Sequence, residues 1–329
     1  MIGCLISEVV LTFLNTRGAG TRDSSHYIGR FAEGSSAQGT GRKLMPMSSP
    51  SFSLPASGRV SRAIEYLQEL WRRREFAIAL GLGNLKARNA STSLGLFWWV
   101  LNPLLLGSVY FVVFGVFFQR EDPGSFLVYL LSGMFPFHFT SQSMTGGANS
   151  IIQNAKLLAN LRFPRLLLPI STLIEAVVGF LASLVVLLVI IAVSGAFLTE
   201  QQFFTFRLAY VPLIVMIHLA FNLGLGALTA RLAVPFRDIN NLLPYVNRIW
   251  LYMTPIIWPL SLLDGLSPLM RSLVELNPMY DMVGLYRSAL LGTPLIMDQV
   301  VGAIVWSAVV CVIGVTLFIK NEGHMVRYL

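Results

Sequence analysis

Charge is scarce in this chain. Of its 329 residues only 12% are Asp, Glu, Lys or Arg, while 55% are hydrophobic, and the mean hydropathy is +0.67. A soluble globular domain carries about 25% charged residues, so this chain has too little polar surface to face water on all sides. Cysteine is nearly missing, with Cys4 and Cys311 alone, which excludes a disulfide scaffold. There is no Walker A stretch, no H-E-x-x-H, no C-x-x-C and no G-x-S-x-G. The histidines His26, His138, His218 and His324 are scattered. Asp264, Glu275, Asp281 and Asp298 are widely spaced and form no D-x-D pair, whereas a membrane enzyme of lipid-linked glycans needs clustered carboxylates for metal and diphosphate. These absences turn the reading from catalysis to transport or scaffolding. The 12% aromatic content and 27 glycines exclude a chain disordered throughout.

What is present is long apolar runs. A bilayer-crossing helix needs about 20 mostly apolar residues, and six segments qualify: about 95–118, 124–145, 166–198, 208–230, 239–260 and 299–319. Each has one ionisable group or none: His138 in the second, Glu175 in the third, His218 in the fourth and Arg248 in the fifth. The reading is an all-α integral membrane protein of six transmembrane helices.

The net charge of +8 and pI near 9.8 would suggest nucleic acid in a soluble protein. Here the basic residues cluster between apolar runs and act as topology signals, so no nucleic-acid partner is expected. Arg59, Arg62, Arg72, Arg73, Arg74, Lys86 and Arg88 precede the first span. Lys156, Arg162 and Arg165 follow the second, Arg231 and Arg237 the fourth, Lys320 and Arg327 the sixth. The opposite side holds only Arg120, Arg207, Arg271 and Arg287. Both termini are therefore expected in the cytoplasm, with the protein multi-pass in the plasma (inner) membrane.

Residues 1–56 are rich in Gly, Ser, Thr and Arg without periodicity and read as a disordered N-terminal extension. Two readings stay open: a flexible cytoplasmic tail, or a start codon assigned too early, with Met45 or Met47 as the true start. Residues 57–329 are expected to form one membrane domain that holds the six spans. Within it Val60, Ile64, Leu67 and Trp71 recur at helical spacing beside Arg72, Arg73 and Arg74. That pattern predicts an amphipathic interface helix lying among anionic headgroups.

Several motifs then occur in order. Asn84-Leu85-Lys86-Ala87-Arg88-Asn89 leads into Ser93-Leu94-Gly95 and the stretch Trp98 to Pro103. Phe163-Pro164-Arg165 follows the second span, Phe236-Arg237-Asp238 the fourth, and Thr254-Pro255-Ile256 lies in the fifth; Asn277-Pro278 precedes Tyr286-Arg287. From about residue 60 to the C terminus this series resembles the Wzm-type polysaccharide-export permeases of the ABC transporter superfamily. The arginine-rich composition and the stretches around Trp98-Trp99 and Tyr245 to Trp258 look most like actinobacterial members, which export cell-wall galactan.

The resemblance implies a homodimer bound to two copies of a separate ATPase. It also implies export of a polyprenyl-diphosphate-linked polysaccharide, with no cofactor on this chain and ATP and Mg on the partner. This chain would then be a permease subunit and not an enzyme. Two other readings remain: a drug or small-lipid exporter of the same superfamily, and a membrane enzyme of lipid-linked glycan metabolism.

An ATPase needs a handle. Gly146-Gly147 is expected to break the second span and Pro164 to stop a short helix after it. Between them Ile151, Ile152, Ala155, Leu158 and Ala159 form an apolar face, and Lys156, Phe163 and Arg165 complete the coupling segment. Aromatic faces suit sugar rings sliding past. The candidate path comprises Trp98, Trp99, Tyr110, Phe111, Phe114, Phe117 and Phe118 in the first span with Trp250, Tyr252 and Trp258 in the fifth. At 1.5 Å per residue, Glu175 and Arg248 both fall roughly 13–15 Å into their spans, so they are expected to pair and hold a closed channel.

Overall fold

The computed structural model describes residues 59–89, 94–117, 123–161, 163–197, 206–265 and 267–325. Every regular element among them is helical, with no strand. The expected extension, residues 1–56, lies outside the described residues, as do Phe118 and the side chain of Ile64.

Two helices, α1 (Arg59–Arg72) and α2 (Arg74–Asn89), meet at Arg73. On α1 the expected apolar stripe is uncovered: Leu67 is 54% and Trp71 45% exposed. The guanidinium of Arg74 lies 4.8 Å from the Trp71 ring centroid, and Arg73 Nε donates to Glu69 Oε1 at 2.6 Å. Then come α3 (Trp98–Phe111), prolonged by a π-helical turn over Val112–Phe117, α4 (Pro123–Gln153) and the short α5 (Ala155–Asn160). They are followed by α6 (Leu167–Phe197), α7 (Val211–Ala233), α8 (Ile239–Met253), α9 (Pro268–Glu275), α10 (Pro278–Leu291) and α11 (Met297–Met325).

Among the described residues four helical stretches are long and apolar enough to cross a membrane: Trp98–Phe117, Leu167–Val193, Arg207–Ala233 and Met297–Gly323. They answer the first, third, fourth and sixth expected spans. The other two depart from expectation for different reasons. The helix α4 has 31 residues, about 46 Å of rise, yet it carries Ser132, Thr140 and Ser143 turned into the protein interior. Its length suffices while its apolar character is diluted. In contrast, α8 has only 15 residues, about 22 Å against a hydrocarbon layer of about 30 Å. It ends at Thr254, whose φ −92° and ψ 137° are extended, because the ring of Pro255 disfavours helical geometry in the residue before it. The remainder of the expected span 239–260 is irregular as far as the 3₁₀ turn Leu260–Gly265.

A buried helix, α10, occupies a stretch expected to be an outer loop. Its signals are in the sequence. Asn277 caps it, accepting the N–H of Met279, Pro278 opens it, and Gly292 closes it with φ +70°. Met279, Met282, Val283, Leu285, Tyr286 and Leu290 then join the main core with Phe135, Phe139, Phe180 and Phe221.

Small residues set the tightest crossings. A Cβ on Gly147 of α4 would strike the backbone of Gly226 in α7, and one on Gly314 of α11 would strike that of Gly224 in α7. Gly146-Gly147 therefore does not break the helix as expected: α4 runs through both to Gln153. Inside a membrane bundle, paired small residues let backbones approach. A third close approach seats α2 on α6, where a Cβ on Gly81 would lie 2.6 Å from the Ser171 carbonyl oxygen.

Candidate functional site

A groove of about 400 Å³ opens between α3, α4 and α8. Asn102 and Tyr110 line it from α3, His138 and Ser141 from α4, and Asn247, Arg248 and Tyr252 from α8. The hydroxyls of Tyr110 and Tyr252 meet at 3.1 Å with their rings edge to face. Gln142 Nε2 donates to His138 Nε2 at 3.3 Å. The lining thus combines aromatic faces, amides, hydroxyls, one imidazole and one guanidinium, with no carboxylate. Such a surface can hold polyhydroxylated or anionic matter. Among the described residues no cluster of His, Cys, Asp and Glu could hold a metal ion.

Below the groove, the Thr254-Pro255 and Asn277 motifs form one clamp. Asn277 Oδ1 accepts from Trp250 Nε1 at 2.7 Å and from the Met279 N–H at 3.0 Å, while its Nδ2 donates to Thr254 Oγ1 at 2.9 Å. Arg287, only 2% exposed, donates from Nη1 to the Pro255 carbonyl at 2.7 Å and from Nη2 to the Tyr129 carbonyl at 3.4 Å. Its guanidinium carbon lies 3.5 Å from the Tyr129 ring centroid. The Pro255 carbonyl, beyond the last turn of α8, is thereby satisfied by a planar cation. The irregular segment after α8 is held as firmly as a helix end.

At the opposite end of α4, the Phe163-Pro164-Arg165 motif is also locked. The Phe163 ring packs on Phe76 of α2 at 5.1 Å. The Arg165 N–H donates to Glu322 Oε1 of α11 at 2.8 Å, and Arg165 Nη1 donates to the Glu322 carbonyl. Tyr66 of α1 accepts the Leu166 N–H at 3.4 Å. Burial, with Glu322 beside it, pushes the Tyr66 hydroxyl well above its ordinary range, so it stays protonated.

The sequence profile of the ABC-2 type transporter family matches residues 77–291, from the start of α2 to the end of α10. The chain belongs to the ABC-2 type transporter family. It is 33% identical over 226 residues to the O-antigen export system permease protein RfbA of Myxococcus xanthus, covering 68% of this chain and 84% of that one. A Klebsiella pneumoniae protein of the same name is 26% identical over 246 residues, covering 75% and 92%. The resemblance to polysaccharide-export permeases is thus borne out, and the chain is a multi-pass membrane protein of this family.

Within that family frame, the expected path residues divide. Tyr110, Arg248 and Tyr252 reach the groove. Phe111 and Phe114 pack against the main core, and Trp99 lies over Gly179 of α6. Trp98 and Phe117 are exposed away from the groove lining. Trp250 faces Phe137 and Asn277, and Trp258 Nε1 donates to the Tyr252 carbonyl. Glu175 accepts from Asn84 Nδ2 of α2 at 3.1 Å. The expected Glu175–Arg248 partnership is corrected by this placement: Arg248 faces a groove that α6 does not line. Rise per residue places a group along its helix, while the rotation of the helix about its axis decides the partner. The groove contributions of Asn102, His138, Ser141 and Asn247 were missed. Their signal is polarity inside otherwise apolar runs.

The coupling segment needs a similar correction. Ile151 is fully buried in a cluster with Tyr66, Leu166 and Phe318, with Leu158 and Phe163 against it, while Ile152 packs on a neighbouring cluster with Met144 and Leu243. The expected apolar face thus closes the protein's own core. Among the described side chains of this segment, Gln153, Lys156, Asn160 and Leu161 are exposed, Leu161 at 51%. Ala155 is half-buried and Arg165 is engaged by Glu322.

Proposed function

We propose that this chain is the permease subunit of an ATP-driven exporter that moves a polyprenyl-diphosphate-linked polysaccharide from the cytoplasm to the outer face of the plasma membrane. Six crossings, made by α3, α4, α6, α7, α8 with its following clamp, and α11, put both termini and α5 in the cytoplasm. Two copies pair, and two copies of a separate ATPase, carrying ATP and Mg, dock at Gln153, Lys156, Asn160 and Leu161. The helix α1 lies in the headgroup plane, where Leu67 and Trp71 enter the lipid and Arg72 and Arg74 meet anionic headgroups.

The observation that carries this reading is the groove. Asn102, Asn247 and Arg248 line it together, and polar or charged groups turned to hydrocarbon are costly, at least ~2.5 kcal/mol for an arginine at mid-depth. That face is therefore covered in the working protein by a second copy and by a hydrated substrate. Tyr110 and Tyr252 offer ring faces to sugars without fixing one set of hydrogen bonds, so a polymer can slide. Arg248 supplies a cation for the diphosphate of the lipid carrier. The curated relatives named as O-antigen export permeases support a polysaccharide cargo; a cell-wall galactan is the specific polymer we assign.

Deletion of the gene tests this. Lipid-linked polymer should accumulate on the cytoplasmic side and surface polymer should fall, with recovery by the wild-type chain. Normal surface polymer in the deletion strain would overturn the proposal.

A further inference from the structure

Glu322, near the end of α11, joins elements that are far apart in the chain. Its carboxylate accepts the Arg165 N–H and the Tyr66 hydroxyl, and its carbonyl accepts Arg165 Nη1. One residue earlier, the Asn321 amide oxygen accepts from Nε and Nη2 of Arg231, in the last turn of α7. Tyr66, Ile151, Leu166 and Phe318 pack beneath as one apolar cluster. None of these residues lines the groove, so the junction is not built to hold cargo.

Toward α6, the segment it grips cannot transmit a push through continuous helix. The helix α5 has six residues, too short to be stable alone. Leu161 beyond it is extended, with φ −124° and ψ 140°, and Pro164 donates no hydrogen bond. Continuous helix therefore stops between α5 and α6. By contrast, α11 touches α7 backbone to backbone at Gly314 and Gly224, and α7 touches α4 in the same way at Gly226 and Gly147. Close-packed helices move as bodies, and α4 carries His138 and Ser141 into the groove.

We propose that Glu322 is a positioning residue that fastens the ATPase-docked loop to α11, so that displacement of α5, which follows α4 after Asn154 alone, moves α11 and α7 together with α4 at the groove. This rests on the reading of α5 as the ATPase handle. Without the brace, ATP hydrolysis continues while its motion is lost in the loop.

The test uses inverted membrane vesicles containing the permease with its ATPase, scored for both ATP hydrolysis and polymer translocated. Glu322→Ala should retain the ATPase and its turnover, while polymer moved per ATP falls about tenfold, the size expected for losing buried charge-assisted hydrogen bonds. Glu322→Gln keeps an acceptor oxygen for the Arg165 N–H and the Tyr66 hydroxyl, and should restore the ratio to within roughly threefold of wild type. An unchanged ratio in Glu322→Ala, or a glutamine variant as poor as alanine, overturns the brace. Should Glu322→Ala fail to accumulate, Tyr66→Phe decides: it removes one hydroxyl and should lower the ratio about threefold, and a wild-type ratio overturns the proposal. A wild-type chain that captures no ATPase overturns the parent reading as well, whereas a lowered ratio with the ATPase bound concerns Glu322 alone.

Discussion

The indole of Trp250 donates to Asn277 Oδ1 at 2.7 Å, tying the end of α8 to the start of α10. The same amide accepts the Met279 N–H and donates to Thr254 Oγ1, so two motifs 23 residues apart act as one joint. Thr254 and Asn277 are both buried, and each stranded polar partner costs about 1–3 kcal/mol. Asn277→Ala should therefore lower the thermal midpoint of the detergent-solubilised protein markedly. Asn277→Asp, which keeps the acceptor for Trp250, should fall between alanine and wild type.

Arg287 predicts a second asymmetry. Lysine keeps the charge of Arg287 but cannot span the Pro255 and Tyr129 carbonyls with one planar group. Arg287→Lys should lose most of the membrane abundance that Arg287→Ala loses. A lysine variant at wild-type abundance would mean that charge alone matters there.

The glycines divide into two kinds. Gly147 and Gly314 sit at backbone contacts, whereas a Cβ on Gly83 of α2 meets nothing within 4 Å. Gly147→Val or Gly314→Val should abolish accumulation through overpacking. Gly83→Ala should raise stability by about 0.5–1 kcal/mol, the helix-propensity difference. Membrane abundance of the two valine variants, and thermal unfolding of Gly83→Ala in detergent, check the contrast.

The coupling loop is tested by separating its exposed and buried residues. Lys156→Glu with Leu161→Asp should release the ATPase from a permease that still inserts, because both positions are exposed. Ile151→Asp should instead remove the protein from the membrane, since it puts a charge into a fully buried position. Co-purification and membrane abundance, measured together, distinguish the outcomes.

Apolar runs announced α3, α6, α7 and α11 because one-dimensional hydrophobicity suffices when a helix is apolar all round. They did not show where the helix of α8 ends, since the effect of Pro255 on Thr254 is local geometry that averaged hydropathy smooths away. Gly146-Gly147 reads as a breaker by propensity, yet α7 packed against it reverses the outcome. The apolar face at Ile151 and Leu158 was legible, but whether it met a partner or the protein's own α1 and α11 depended on tertiary contacts. Glu175 and Arg248 share the same lesson: helical rise gives depth, while packing sets azimuth. Tyr110 and Tyr252 were found as aromatics. Asn102, Asn247 and His138 became site residues only when three helices placed them together.

The central claim is that the groove between α3, α4 and α8 carries the exported polymer. A benzophenone side chain replacing Tyr252, 49% exposed and in the groove, measures this directly. Val189 of α6, 56% exposed and outside the groove, serves as the control position. In cells with radiolabelled polymer and export arrested in mid-passage, irradiation should cross-link polymer to position 252 and only membrane lipid to position 189. Polymer at position 189, or lipid alone at both, would contradict the account.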